Sequence, residues 1–332
     1  MTGFPVPTSI SPEAQGVLAW TAQLPQQADP APNDVEAWRA LGEAAASDEP
    51  LTVEALAMAT TGAVATDVVA TVEPAEVNGA KFFKAAPENI DKNDERVLLY
   101  IHGGSFTWGG GATARRSTQL IAANIGVRTW GMDYRQLPEN PFPAGLDDCI
   151  AVYRELLRTN KPENIAIGGQ SGGANLTAAL LLRAHDEGLP MPAAAVLISP
   201  CVDFTMAGDT WTTNSFTLPG RFDNMLELYR NGHELSEPYI SPLFGTFTAD
   251  FPPTILTAGT RDFLLSDTVR LHRKLLRAGV RAELHVWEGA PHGVFMGQAP
   301  EDREQIEQVR RFLEDTWAQT AGAATSSSSA PA

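Results

Sequence analysis

The chain has 332 residues, with 40 Asp and Glu against 24 Lys and Arg, giving a net charge of −16 at pH 7. That length suits one large domain with a substantial core. The acidic balance argues against nucleic acid or an anionic membrane surface as a partner, and no apolar run of about eighteen residues is present to span a membrane.

The N-terminus, Met1-Thr2-Gly3-Phe4-Pro5-Val6-Pro7, has neither a basic segment nor an apolar stretch of signal-peptide type. Cys149 and Cys201 read as buried thiols rather than a disulfide or metal site. A cytoplasmic location is expected. Residues 1–60 alternate Pro-rich breaks with Ala-rich helical pieces, 13–24 and 35–43, and are set apart as an N-terminal cap region. Residues 66–72 and 78–85 then read as a hairpin, followed by strands ending at Ile101, Asp133, Ile167, Ile198, Thr257 and Trp287. Strands alternating with helices predict an α/β domain over 61–320, with a mainly parallel sheet of about eight strands and helices on both faces. Functional loops belong at the carboxyl ends of such strands.

The strand of residues 96–101 runs into His102-Gly103-Gly104-Ser105-Phe106. Glycines let a backbone approach a substrate closely, and inward-turned amides hold a developing oxyanion without reorganising. His-Gly-Gly after the third strand is the pattern of such a loop. Gly169-Gln170-Ser171-Gly172-Gly173 lies between an apolar strand and an apolar helix. Gly-x-Ser-x-Gly at that junction is a nucleophile elbow, with Ser171 on a turn too tight for side chains two residues to either side. An orienting acid and a base should follow in that order. Asp203 and Asp262 both leave strand ends, and Asp262 is favoured because it sits on the next-to-last strand. Asp267, with Ser266, reads as the start of a helix. Of six histidines, only His292, in Ala290-Pro291-His292-Gly293, follows a late strand on a loop.

One long interruption, residues 205–250, carries Trp211, Phe216, Leu218, Phe222, Met225, Leu226 and Tyr229 and reads as a helical cap insertion. Phe106, Trp108, Trp211, Phe216, Phe222 and Phe295 are candidates to line the substrate cleft. Residues 321–332 read as a disordered, low-complexity tail.

With these residues in place, the chain resembles the hormone-sensitive-lipase-like branch of the α/β-hydrolases, the bacterial family IV esterases. The resemblance spans about residues 65 to 318 and rests on His102 to Phe106, on Tyr134-Arg135-Gln136-Leu137-Pro138-Glu139-Asn140-Pro141-Phe142-Pro143-Ala144 with Asp147-Asp148, and on Pro291-His292-Gly293. It implies a Ser171-His292-Asp262 triad, an oxyanion hole of the Gly103, Gly104 and Gly172 amides, and hydrolysis of short to medium acyl esters, lactones included. No metal or cofactor is implied, the partner is a small-molecule ester, and a homodimer is left open. An amidase with the same triad, and a ligand-binding protein like the plant gibberellin receptors, are the competing readings; the latter have lost the histidine that this chain keeps at His292. Gln170 and Gly172 depart from the family's usual Asp or Thr before, and Ala after, the serine.

Overall fold

A computed structural model describes residues 5–23, 29–46, 64, 66–214 and 222–327. Helices α1 (Pro12–Thr21) and α2 (Val35–Ala46) precede the sheet. Strands β1 (Ala70–Val77) and β2 (Ala80–Pro87) form the expected hairpin, shifted toward the C-terminus. The reason is Asn78-Gly79. Both residues take positive φ, 50° and 85°, the conformation a two-residue hairpin turn demands, so they make the turn and not the start of the second strand.

Then come β3 (Val97–Ile101), α3 (Ala112–Ile125), β4 (Arg128–Asp133), α4 (Ala144–Thr159), β5 (Ile165–Gln170), α5 (Gly172–Asp186) and β6 (Ala194–Ile198). After short helices α6 (Thr210–Thr213) and α7 (Asp223–Arg230), the chain resumes with β7 (Thr254–Gly259), α8 (Leu265–Arg277), β8 (Ala282–Trp287) and α9 (Pro300–Ser327). The helix α9 continues through Ser327, into the segment read from sequence as an unstructured tail. Residues 328–332 lie outside the described residues.

The sheet has eight strands in the order β1-β2-β4-β3-β5-β6-β7-β8. The β1/β2 and β2/β4 pairs are antiparallel and the rest parallel, so the sheet is mixed with a parallel majority. Every residue of β3, β5, β6 and β7 is buried, which explains their unbroken apolar runs: helices cover both faces. Alternation divides them. Leu99, Ile101, Ile167, Leu197 and Leu256 share one apolar cluster with α4 and α5, whereas Leu98, Tyr100, Val196 and Ile255 face Ile121 of α3 and Phe312 and Leu313 of α9. From β3 the chain steps to β4 on one side and then to β5, β6, β7 and β8 on the other, so the direction of winding reverses between β3 and β5. The crevice at their carboxyl ends is where ligands bind in such sheets.

The N-terminal helices lie against two of the loops at that end. Ile10, Ala14, Val17 and Leu18 pack on Ala290, Val294 and Phe295. On α2, Trp38 joins the main core, Gly42 comes close enough to the Thr107 carbonyl that a Cβ there would lie 3.2 Å from it, and Arg39 pairs with Glu139. Among the described residues no helix is long and apolar enough to cross a membrane.

Candidate active site

Ser171 occupies the turn from β5 into α5 with φ 54° and ψ −121°, a strained conformation for a non-glycine residue. Its flanking glycines are required by close approach. A Cβ at Gly169 would lie 2.4 Å from the Gly173 carbonyl oxygen, and one at Gly173 would lie 2.1 Å from that of Ile101. The turn is pressed against the end of β3, and this is the physical content of the Gly-x-Ser-x-Gly spacing.

His292 Nε2 is 2.9 Å from Ser171 Oγ, and its Nδ1 is 3.1 Å from Asp262 Oδ1. Asp262 is fully buried and also accepts the Leu264 N–H at 2.9 Å. Nδ1 thus faces the Asp262 carboxyl oxygen and Nε2 faces the serine hydroxyl, the arrangement that lets Nδ1–H donate to the acid and Nε2 accept from the serine. The Phe263 ring lies 4.9 Å from the imidazole. Beyond His292 the loop passes through Gly293 and Val294 at φ 80° and 63°. That conformation is rare for a β-branched residue, and it turns Val294 and Phe295 inward, both completely buried.

The glycine loop after β3 is shaped by its histidine. His102 is buried, which pushes its pKa down to about 4 and keeps the ring neutral. Its Nδ1 lies 2.6 Å from the Gly103 carbonyl oxygen, and its ring stacks on Tyr134, whose hydroxyl donates to the His102 carbonyl. Holding the Gly103 carbonyl fixes that whole peptide plane, so the Gly104 N–H is aimed the opposite way. Gly104 has φ 108°, and a Cβ there would lie 2.1 Å from the Trp108 carbonyl oxygen. A Cβ at Gly103 would lie 3.0 Å from the Gln170 carbonyl oxygen and 3.4 Å from Ser171 Cβ, so this loop runs directly over the serine turn. Gly172 opens α5, where first-turn amides have no intrahelical acceptor. Its departure from alanine has a local cause. A Cβ there would come within 3.3 Å of the Phe106 ring, itself stacked on Tyr229 at 3.9 Å.

Beside Ser171 is a narrow pocket of about 20 Å³, lined mainly by Phe106, Cys201, Phe204, Trp211, Phe222 and Phe263. That is room for about one water. Of the residues expected to line the cleft, the structure places Phe106, Trp211 and Phe222 around this pocket. Phe295 does not: it packs beneath α1. Trp108 is also buried away from the pocket, its carbonyl held by Gln136 Nε2 at 2.6 Å. Phe216 lies outside the described residues, as does Leu218. Cys201, Phe204 and Phe263 went unnoticed in the sequence as wall residues. Their signal was position, since each follows the carboxyl end of β6 or β7, beside a candidate acid. Burial pushes the Cys201 thiol upward, with Asp267, Asp203 and Asp262 adding to the effect.

The other acids are engaged elsewhere. Asp203 is completely buried, pairs with Arg270 Nη1 at 2.5 Å and accepts from Thr205. Asp267, also completely buried, accepts the N–H groups of Val202 and Asp203 and the indole N–H of Trp211. Burial raises its pKa to about 7, with the neighbouring Asp203 charge adding to the rise and the accepted hydrogen bonds opposing it. Among the described residues, no group of three or more His, Cys, Asp or Glu is placed to hold a metal ion.

Residues 98–296 match a protein family described as having the alpha/beta hydrolase fold. An acetyl-hydrolase of Streptomyces hygroscopicus is 33% identical over 229 residues, covering 67% of this chain and 76% of that protein. An esterase of Acinetobacter venetianus is 31% identical over 230 residues, covering 65% of this chain and 74% of that one. Among solved structures, that of an esterase E25 superimposes with a TM-score of 0.82 at 31% identity, covering 94% of this chain and 96% of the other. An esterase from the bacterial hormone-sensitive lipase family does so with a TM-score of 0.74 at 29% identity, covering 92% and 99%. The chain belongs to the α/β-hydrolase family, in its hormone-sensitive-lipase-like branch.

Proposed function

We propose that the protein is a serine carboxylesterase acting on short acyl esters through an acyl-enzyme. The observation that carries this reading is the hydrogen-bonded series Ser171–His292–Asp262 beside the glycine loop. His292 Nε2 takes the serine proton as Oγ attacks the ester carbonyl, and Asp262 stabilises the imidazolium that forms. The amides of Gly103, Gly104 and Gly172 hold the oxyanion. Collapse of the intermediate expels the alcohol, which takes its proton from His292. Water then attacks the acyl-serine with His292 as base, releasing the acid and restoring the serine.

The narrow pocket narrows the short-to-medium range read from sequence toward its short end, and the acetyl-hydrolase name of one relative agrees. Residues 205–250, together with the N-terminal region, are read as the cap, of which Trp211, Phe222, Met225 and Leu226 line this pocket. The acidic chain and its two buried free thiols fit a cytoplasmic enzyme on dissolved substrates.

A panel of p-nitrophenyl esters from acetate to palmitate, with one lactone and one anilide, tests the reading. Hydrolysis should be greatest from acetate to butyrate and fall steeply beyond. Ser171→Ala should lower it by on the order of 10⁶, and an organophosphate should label Ser171 alone. Activity that survives the substitution, or label on a different serine, refutes the assignment.

A further inference from the structure

Asp267 stands apart from the catalytic series, yet it is among the most constrained side chains near it. The carboxyl sits in the first turn of α8 with no exposure. Its Oδ2 accepts the Val202 and Asp203 amides at 3.1 and 3.0 Å, which ties down the loop leaving β6. Its Oδ1 accepts Trp211 Nε1 at 3.3 Å. Trp211 is a wall of the pocket beside Ser171, with its ring 5.8 Å from Phe222 and 5.0 Å from Phe263. The backbone around it is bolted to the same helix start. Ser266 Oγ accepts the Thr210 N–H, and Thr210 Oγ1 accepts the Ser266 N–H and donates to the Phe263 carbonyl. A Cβ at Gly208 would lie 2.8 Å from Ser266 Cβ, so the segment has no slack there.

Backbone contacts therefore place α6, while the indole, packed between the Phe222 and Phe263 rings, makes one polar contact among the described residues, to Asp267. We infer that Asp267 is a specificity-determining positioning residue: by holding Trp211 across the pocket, it sets the length of acyl chain that the enzyme accepts. The inference rests on the esterase reading above. It differs from a purely structural role, because the two oxygens do separate tasks. One holds the β6 loop and the other holds the indole.

Asp267→Asn separates them. The amide oxygen can still accept the two backbone N–H groups, while the amide nitrogen, a donor, faces a second donor on the indole. The ratio of kcat/KM for p-nitrophenyl hexanoate to that for p-nitrophenyl acetate should rise by about fourfold for each methylene that gains a place in the pocket, and by about tenfold or more in all. In a Trp211→Phe background, which keeps an aromatic wall without the N–H, adding Asp267→Asn should leave the ratio where Trp211→Phe put it. A ratio unchanged in Asp267→Asn while both rates fall together would overturn the inference, as would an equal shift in both backgrounds. If Asp267→Asn fails to fold, Trp211→Phe alone decides, and an unchanged ratio there refutes the proposal. Wild-type protein without Ser171-dependent hydrolysis of the acetate ester would overturn the esterase reading and the inference with it, a distinguishable result.

Discussion

The loops beneath Ser171 and the wall beside it are built by different means. Below, the β3 and β5 exits are fixed by backbone crowding. Gly104, Gly169 and Gly173 stand where a Cβ would meet a main-chain atom at 2.1 to 2.4 Å. Such constraints are local and leave fixed spacings in the chain. The wall is made instead from side chains of three separate segments, meeting through ring contacts and the Asp267–Trp211 hydrogen bond. No spacing rule governs it. The serine turn and glycine loop are thus fixed by main-chain crowding, whereas the wall rests on side-chain contacts.

The next largest effect after Ser171→Ala tests which buried carboxylate belongs to the catalytic loops. Asp262→Asn should lower turnover about 10⁴-fold, because an amide favours the wrong tautomer of His292. Asp203→Asn should leave turnover per folded molecule close to wild type. Its cost falls on stability, since the charge that pairs with Arg270 is lost, while the amide oxygen can still accept from Thr205. Kinetics corrected for active-site concentration separate the two, and the larger loss at Asp203 would reverse the assignment.

A smaller effect is expected at the glycine loop. Gly104→Ala places a methyl 2.1 Å from the Trp108 carbonyl oxygen at φ 108°, so the peptide must rotate, which under the proposed mechanism removes its N–H as an oxyanion donor. Loss of one oxyanion donor lowers kcat by about 10²-fold or more. The drop should appear in kcat for acetate and butyrate esters alike, whereas wall substitutions discriminate between them. A chain-length-dependent loss would mean that Gly104 shapes the pocket and not the oxyanion hole.

What the sequence shows follows the same division. The elbow, the glycine loop and the individual strands along the chain are legible because each is a short-range pattern, and chain order among the late strands points to Asp262 and His292. Phe295 and Trp108 mislead because adjacency to a catalytic loop does not say which side of it a ring faces; the inward turn at Val294 buries Phe295 under α1. Asp267 reads as an ordinary acid at a helix start, which it also is. Its hold on Trp211 joins residues 56 positions apart and leaves no local trace. At the C-terminus, composition suggests disorder from residue 321, yet the helix runs on to Ser327, consistent with the high helix propensity of the alanines in that stretch.

The smallest effect is a pair of opposing pH dependences, one from each region. Asp267 in the wall has its pKa raised to about 7, against about 3.9 in an unfolded chain. Between those values folding takes up a proton, so stability present below pH ~4 is lost as pH rises toward ~7. His102 in the glycine loop has its pKa lowered to about 4 from 6.5. Its stability is present above pH ~6.5 and is lost as pH falls toward ~4. Over that shared window the two terms oppose each other, at most about 4 kcal/mol for Asp267 and about 3 kcal/mol for His102. Thermal melts of wild type, Asp267→Asn and His102→Asn from pH 4 to 8 should resolve them. Relative to wild type, Asp267→Asn should gain Tm as pH rises from ~4 to ~7, and His102→Asn should gain Tm as pH falls from ~6.5 to ~4. Differences of the same sign, or flat across the window, would show that one of these groups is not held in the charge state that its burial dictates.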